Sequence, residues 1–171
     1  MKLLIALVLL GKASSCLACY VPPPEQHTPP DELIARTSNI VLAEVVKGET
    51  SANGVVYTFR KIRSLAGKSR EVFELVGFPA IWEGNNRTFD NHFDEDFWKN
   101  RAGRVVYGTD CRLRLNFSVG GTYLLFLDPP YHSKGFELII RTHGEADIQD
   151  KWLQYVADRV GPNYAIKPIA E

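Results

Sequence analysis

The chain has 171 residues, of which 45% are hydrophobic, 11% aromatic and 23% charged, with a formal net charge of +0. These proportions belong to one ordinary folded domain and exclude a disordered or collagen-like chain. The neutral balance also argues against a basic nucleic-acid-binding surface.

The chain opens with Met1 and Lys2, followed by an apolar run over residues 3–10 and then by small residues (Gly11, Ala13, Ser14, Ser15). A basic start, a short apolar run and small residues form a secretory signal. The run is too short for a membrane-spanning helix, which needs about 20 apolar residues. Residues 1–18 are therefore expected to be removed, leaving residues 19–171 as a single soluble domain outside the cytoplasm, extracellular or periplasmic. Cleavage after Ala18 leaves Cys19 first, and cleavage after Ser15 leaves Cys16 first. Lipidation of either cysteine is the other option, although the leucine usual three residues upstream is missing for both. A start at Cys19 removes Lys2 and Lys12 and leaves a side-chain balance of about −2.

Cys16, Cys19 and Cys111 are the three cysteines. Without the signal, Cys19 and Cys111 remain, and an even count in an oxidising compartment reads as one disulfide. It would close a loop of about 93 residues and contribute about 4–5 kcal/mol in the chain-entropy model. A lipidated Cys19 with a reduced Cys111, or a metal pair, are the competing readings. The separation of the two is poor for zinc, which prefers four closely spaced ligands.

Residues 21–30 hold Pro22, Pro23, Pro24, Pro29 and Pro30, predicting an extended strap. Asp31 is placed to cap a short helix through Arg36. Strands are predicted over residues 39–46, 55–63 (after the Asn53-Gly54 turn), 71–76, 122–127 and 136–141. A helix over 147–160, with Asp147 as its cap, carries Ile148, Trp152, Tyr155, Val156 and Val160 on one face. Five strands and a flanking helix predict a mainly β fold, a five-stranded OB-like Greek-key barrel with a short N-terminal and a C-terminal helix.

The order of features resembles the netrin-like module of tissue inhibitors of metalloproteinases. The match runs from Cys19 through the proline strap and Glu32-Leu33-Ile34-Ala35-Arg36 into Ile40–Val45. It continues at Cys111, Phe117, Gly120-Gly121 and Tyr123-Leu124-Leu125-Phe126. A second cysteine pair of the family is missing, with Val21 and His143 at those places. The C-terminal disulfide-rich domain of the animal inhibitors is missing too. The single-bridge form looks like a bacterial relative. The resemblance implies an OB-fold and a protein partner, in the strongest form a metalloproteinase whose zinc is chelated by the α-amine and carbonyl of Cys19. An α-amine with a pKa near about 7.7–8.0 has an accessible lone pair, and the open coordination position of a catalytic zinc can accept it.

The stretch of residues 91–98 gathers His92, Asp94, Glu95 and Asp96 with Phe93, Phe97 and Trp98. Oxygen ligands there could hold calcium, and His92 could join a transition metal, but the spacing matches no calcium loop. A solvated acidic face with Phe93, Phe97 and Trp98 packed inward is the reading preferred here. His92, Asp94, Asp96 and Trp98 are accordingly candidates for an interaction loop, not a metal site. Gly67-Lys68-Ser69 lacks the upstream glycine of a phosphate loop, since Ile62 stands there. Asn86-Arg87-Thr88 and Asn116-Phe117-Ser118 fit the glycosylation pattern. No catalytic constellation is present, so the chain is expected to be a binding protein without cofactor and not an enzyme. A lipid-anchored envelope protein with a scaffolding or ligand-binding role is the alternative.

Overall fold

The computed structural model describes residues 24–78, 92–99, 103, 105, 107–108, 110–140 and 150–161. It is mainly β. Strands β1 (Ile40–Ser51), β2 (Gly54–Ala66), β3 (Val72–Gly77), β4 (Thr122–Phe126) and β5 (Phe136–Ile140) form one antiparallel sheet of order β3-β2-β1-β4-β5. Among the described residues three α-helices accompany it: α1 (Pro30–Arg36), α2 (Glu95–Lys99) and α3 (Lys151–Val160). No helix among the described residues is long and apolar enough to cross a membrane.

The centre of the sheet is buried on both faces, which explains why its strands read as nearly continuous apolar runs. Side chains alternate across a strand, so Ile40 and Leu42 of β1 and their register partners Phe126 and Leu124 of β4 join the layer beneath the helices. Val41 and Ala43, opposite Leu125 and Tyr123, join the inner layer with Val45, Tyr57, Phe59 and Phe117. On the helical side Leu33 and Ile34 of α1 meet Trp152, Leu153, Val156 and Ala157 of α3. Trp152 is 0% exposed and stacks against Phe126 and Tyr155 at 6.1 and 5.7 Å between centroids. Three register shifts along β1 mark bulges, each of which bends a strand and tightens its twist.

The sheet is not closed into a barrel. Its edges are β3 and β5, and Val72 and Val76 of β3 are 55% and 58% exposed. An irregular segment before β4 stands at the open side instead. It sends Leu115 and Phe117 into the inner layer, and Leu115 O accepts from Phe78 N–H at 2.6 Å just beyond β3.

Several local expectations are corrected. Asp31 does not cap α1. Pro29 holds that position, Pro30 opens the helix, and Asp31 in the first turn accepts from Tyr155 Oη at 2.6 Å and Arg159 Nε at 2.5 Å. These two bonds, that from Tyr155 foremost, lower its carboxyl below the usual range and tie α1 to α3. The cap of α3 is Asp150, whose Oδ1 accepts from Leu153 N–H at 2.9 Å; Asp147 and Ile148 lie outside the described residues. Pro24–His27 forms a 3-10 turn where an extended strap is predicted. Asp128 clamps the entry to β1. Its Oδ2 accepts from Ser38 N–H, Ser38 Oγ and Asn39 N–H at 2.5, 2.7 and 2.9 Å. Burial pushes this carboxyl up, but those donors outweigh it and lower it.

Candidate functional site

Two regions carry the candidate residues. The first is built around His92. Its backbone has φ of 63°, a left-handed turn that histidine tolerates better than most residues. This turn aims the imidazole inward, and α2 then covers it. The Phe97 and His92 ring centroids lie 4.5 Å apart with the planes inclined at 60°, and Trp98 Nε1 donates to His92 O at 2.8 Å. Phe97 is buried and Trp98 half-buried, as expected, but Phe93 is 60% exposed, because the left-handed turn at His92 leaves it on the solvent side.

His92 Nδ1 lies 2.8 Å from Asp150 Oδ2, and Nε2 lies 3.0 Å from Glu137 Oε2. His92, Glu137 and Asp150 are each 0% exposed. A carboxyl group on each ring nitrogen favours the doubly donating, protonated imidazole. Burial alone would push its pKa down, but the hydrogen bonds and charges of Asp150 and Glu137 prevail and raise it. Lys134, also 0% exposed, donates from Nζ to Phe97 O at 2.6 Å and sits 4.4 Å above the Phe97 ring centre. Burial pushes its ammonium down to about 8, with Glu137 acting against that. His92 and Lys134 thus place two basic side chains among the two buried carboxyl groups of Glu137 and Asp150.

The rest of the surroundings seal the set. A Cβ on Gly103 would stand 2.5 Å from Lys134 N and 2.6 Å from Glu137 Oε1, so only glycine fits there. Gly103 N–H donates to Ser133 Oγ at 2.5 Å, and Ser133 Oγ donates to Gln26 Oε1 at 3.4 Å. His132 Nδ1 accepts from Lys134 N–H at 3.1 Å, and the ring is 1% exposed. His92, Lys134, Glu137 and Asp150 are thus buried together, with the 0% exposed Ser133 beside them. The geometry of this set suits a tie that locks the residues 92–99 segment, β5 and α3 together.

The expected interaction loop is therefore divided. His92 is turned inward, Trp98 is half-buried and holds the His92 turn, Asp94 is half-buried with its carbonyl accepting from Phe97 N–H at 3.2 Å, and the Asp96 side chain lies outside the description. Among the described residues no group of three or more His, Cys, Asp or Glu side chains is arranged to hold a metal ion. The reading of the sequence omits Glu137, Asp150, Lys134 and His132. One signal for Glu137 is present: it is a lone carboxylate inside the apolar run of β5, and such a group needs a partner if buried.

The second region surrounds Cys111, the one cysteine among the described residues; Cys19 lies outside them. Cys111 is exposed and has φ of 61°. It sits in a turn held by Cys111 N–H to Gly108 O at 3.0 Å, by Gly108 N–H to Arg112 O at 2.8 Å and by the Tyr107–Leu113 bridge. Beside it opens a cleft of about 750 Å³ between this turn, the end of β3 and Pro130–Tyr131.

No family model, curated protein or solved structure gives a significant match to this chain. The functional reading accordingly rests on the residues and the geometry alone.

Proposed function

We propose that the chain is an exported, non-catalytic binding domain of the OB-like, netrin-type architecture, spanning residues 19–171 and stapled by a Cys19–Cys111 bridge. The observation that carries this is the sheet order β3-β2-β1-β4-β5 with a long, bulged β1 shared between β2 and β4. That is the order of a five-stranded OB barrel opened between its third and fifth strands, and the OB-fold is itself a partly open barrel. Two further observations support it. The buried acid–base set is sealed from solvent, and Cys111 lies on an exposed turn where a bridge to an N-terminal residue can form.

In the strongest form of the proposal the partner is a zinc metalloproteinase. The neutral α-amine and the carbonyl of Cys19 fill the open position on the zinc of that protease. With an amine pKa near about 7.7–8.0, inhibition strengthens as pH rises through that range. The test is inhibition of a panel of zinc proteases by the processed protein and by a variant with one alanine added before Cys19. The expected result is inhibition by the first and none by the second, because the extension removes the chelating amine. Retained inhibition by the extended form would sink the amine mechanism.

A further inference from the structure

The walls of the cleft beside Cys111 are held by hydrogen bonds within the protein. At the end of β3, Phe78 is held by its N–H to Leu115 O at 2.6 Å and by Tyr57 Oη donating to Phe78 O at 3.0 Å. The Arg114 guanidinium lies 4.2 Å over the Phe78 ring and pairs with Asp110 at 2.9 Å. On the opposite side Tyr107 Oη donates to Tyr131 O at 3.0 Å, and Tyr107 pairs with Leu113 across the turn. Rings and aliphatic groups thus line a preformed space of about 750 Å³, within the range of about 300–1,000 Å³ usual for small-ligand sites.

Two polar residues, Asn53 and Arg112, complete the lining. Arg112 is exposed, and its side chain makes no ion pair or hydrogen bond among the described residues. The neighbouring arginine, Arg114, is already neutralised by Asp110, so Arg112 is the cation this apolar space offers to an incoming anion. We infer that the cleft binds an apolar carboxylate: a ring or aliphatic body against Phe78, Tyr107 and Tyr131, with its carboxylate on Arg112. Arginine matches a carboxylate in a paired, charge-assisted geometry. A small free acid and the C-terminal end of a peptide share this chemistry.

The test is titration of the exported, folded protein with phenylbutyrate and with the neutral phenylbutanol. Glycyl-glycyl-phenylalanine and its amide form a second pair. Binding is followed through the backbone amide NMR signals of Tyr107, Arg112 and Leu113. Each acid is expected to bind about tenfold more tightly than its neutral partner, the discrimination that one charge-assisted hydrogen-bonded pair supplies. Arg112→Gln, a change on the surface, should remove that preference while leaving the melting temperature in place. A preference confined to the tripeptide assigns the cleft to chain ends, and one shared by phenylbutyrate assigns it to small acids. Equal binding of acid and neutral partner, no saturable shifts at the cleft, or a preference that survives Arg112→Gln would overturn the inference. The discrimination is read on the protein alone, with no protease present, so failure of the protease reading and failure of this one are distinguishable.

Discussion

Replacing His92 by leucine is expected to destabilise the protein by about 3–5 kcal/mol, the cost of removing one partner from a buried ion set. The substitution removes the imidazole that both Glu137 and Asp150 contact, leaving two carboxyl side chains at 0% exposure without that partner. It also places a residue without local hydrogen-bonding ability at φ of 63°. The loss should appear as a lower urea midpoint with an unchanged slope. For a domain of this size it corresponds to a drop of roughly 10 °C in melting temperature. A second change distinguishes charge from packing. Adding Glu137→Leu to His92→Leu removes one of the stranded carboxylates and should recover part of the loss, since an apolar replacement of a whole buried pair is often neutral. A loss under about 1 kcal/mol for His92→Leu, typical of surface changes or weaker, would show that the set contributes nothing.

The second large effect is on pH dependence, and it comes from His132. Burial first of all, with the charges of Lys134 and Arg36 and against a hydrogen bond to the Gln26 backbone, pushes this imidazole down to about 4 from an ordinary 6.5. As pH falls, the unfolded chain binds the proton before the native state does. Stability is therefore full above about pH 6.5 and falls between there and about pH 4, by on the order of 3 kcal/mol. His132→Asn keeps an acceptor for Lys134 N–H and removes the titration, so it should flatten the slope of unfolding free energy across that window. A variant with the same slope as the parent would refute the assignment. His92 acts in the opposite sense. Its raised pKa gives stability that is complete below about 6.5 and is lost as pH rises through the folded value. The two histidines thus limit the stable range from opposite sides.

The strands were legible in the sequence because each rests on a run of apolar or alternating residues. The end of β1 was not. Lys47–Ser51 is exposed and polar, and it is a strand because its backbone pairs with the β2 residues Gly54–Thr58. Helix α2 spans only five residues, too few for a periodicity to be read. The start of α3 was misplaced because Asp147 and Asp150 are both good caps, and only the second also meets His92. That contact, and the one from His92 to Glu137, join residues 58 and 45 positions apart, so no local pattern announces them. The sheet order likewise appears only in three dimensions. The candidate cysteine pair was legible through counting alone, with Cys111 seen on its turn and Cys19 outside the described residues.

The central claim is an exported domain that begins at Cys19 and is closed on Cys111. Its most direct test is the intact mass of protein exported by its own signal, with N-terminal mapping, before and after reduction. The account predicts a chain starting at unmodified Cys19 that gains one hydrogen per bridged cysteine on reduction. A diacylglyceryl group on Cys16 or Cys19, or a chain that retains Met1 and does not change on reduction, would contradict it and leave the α-amine without a role.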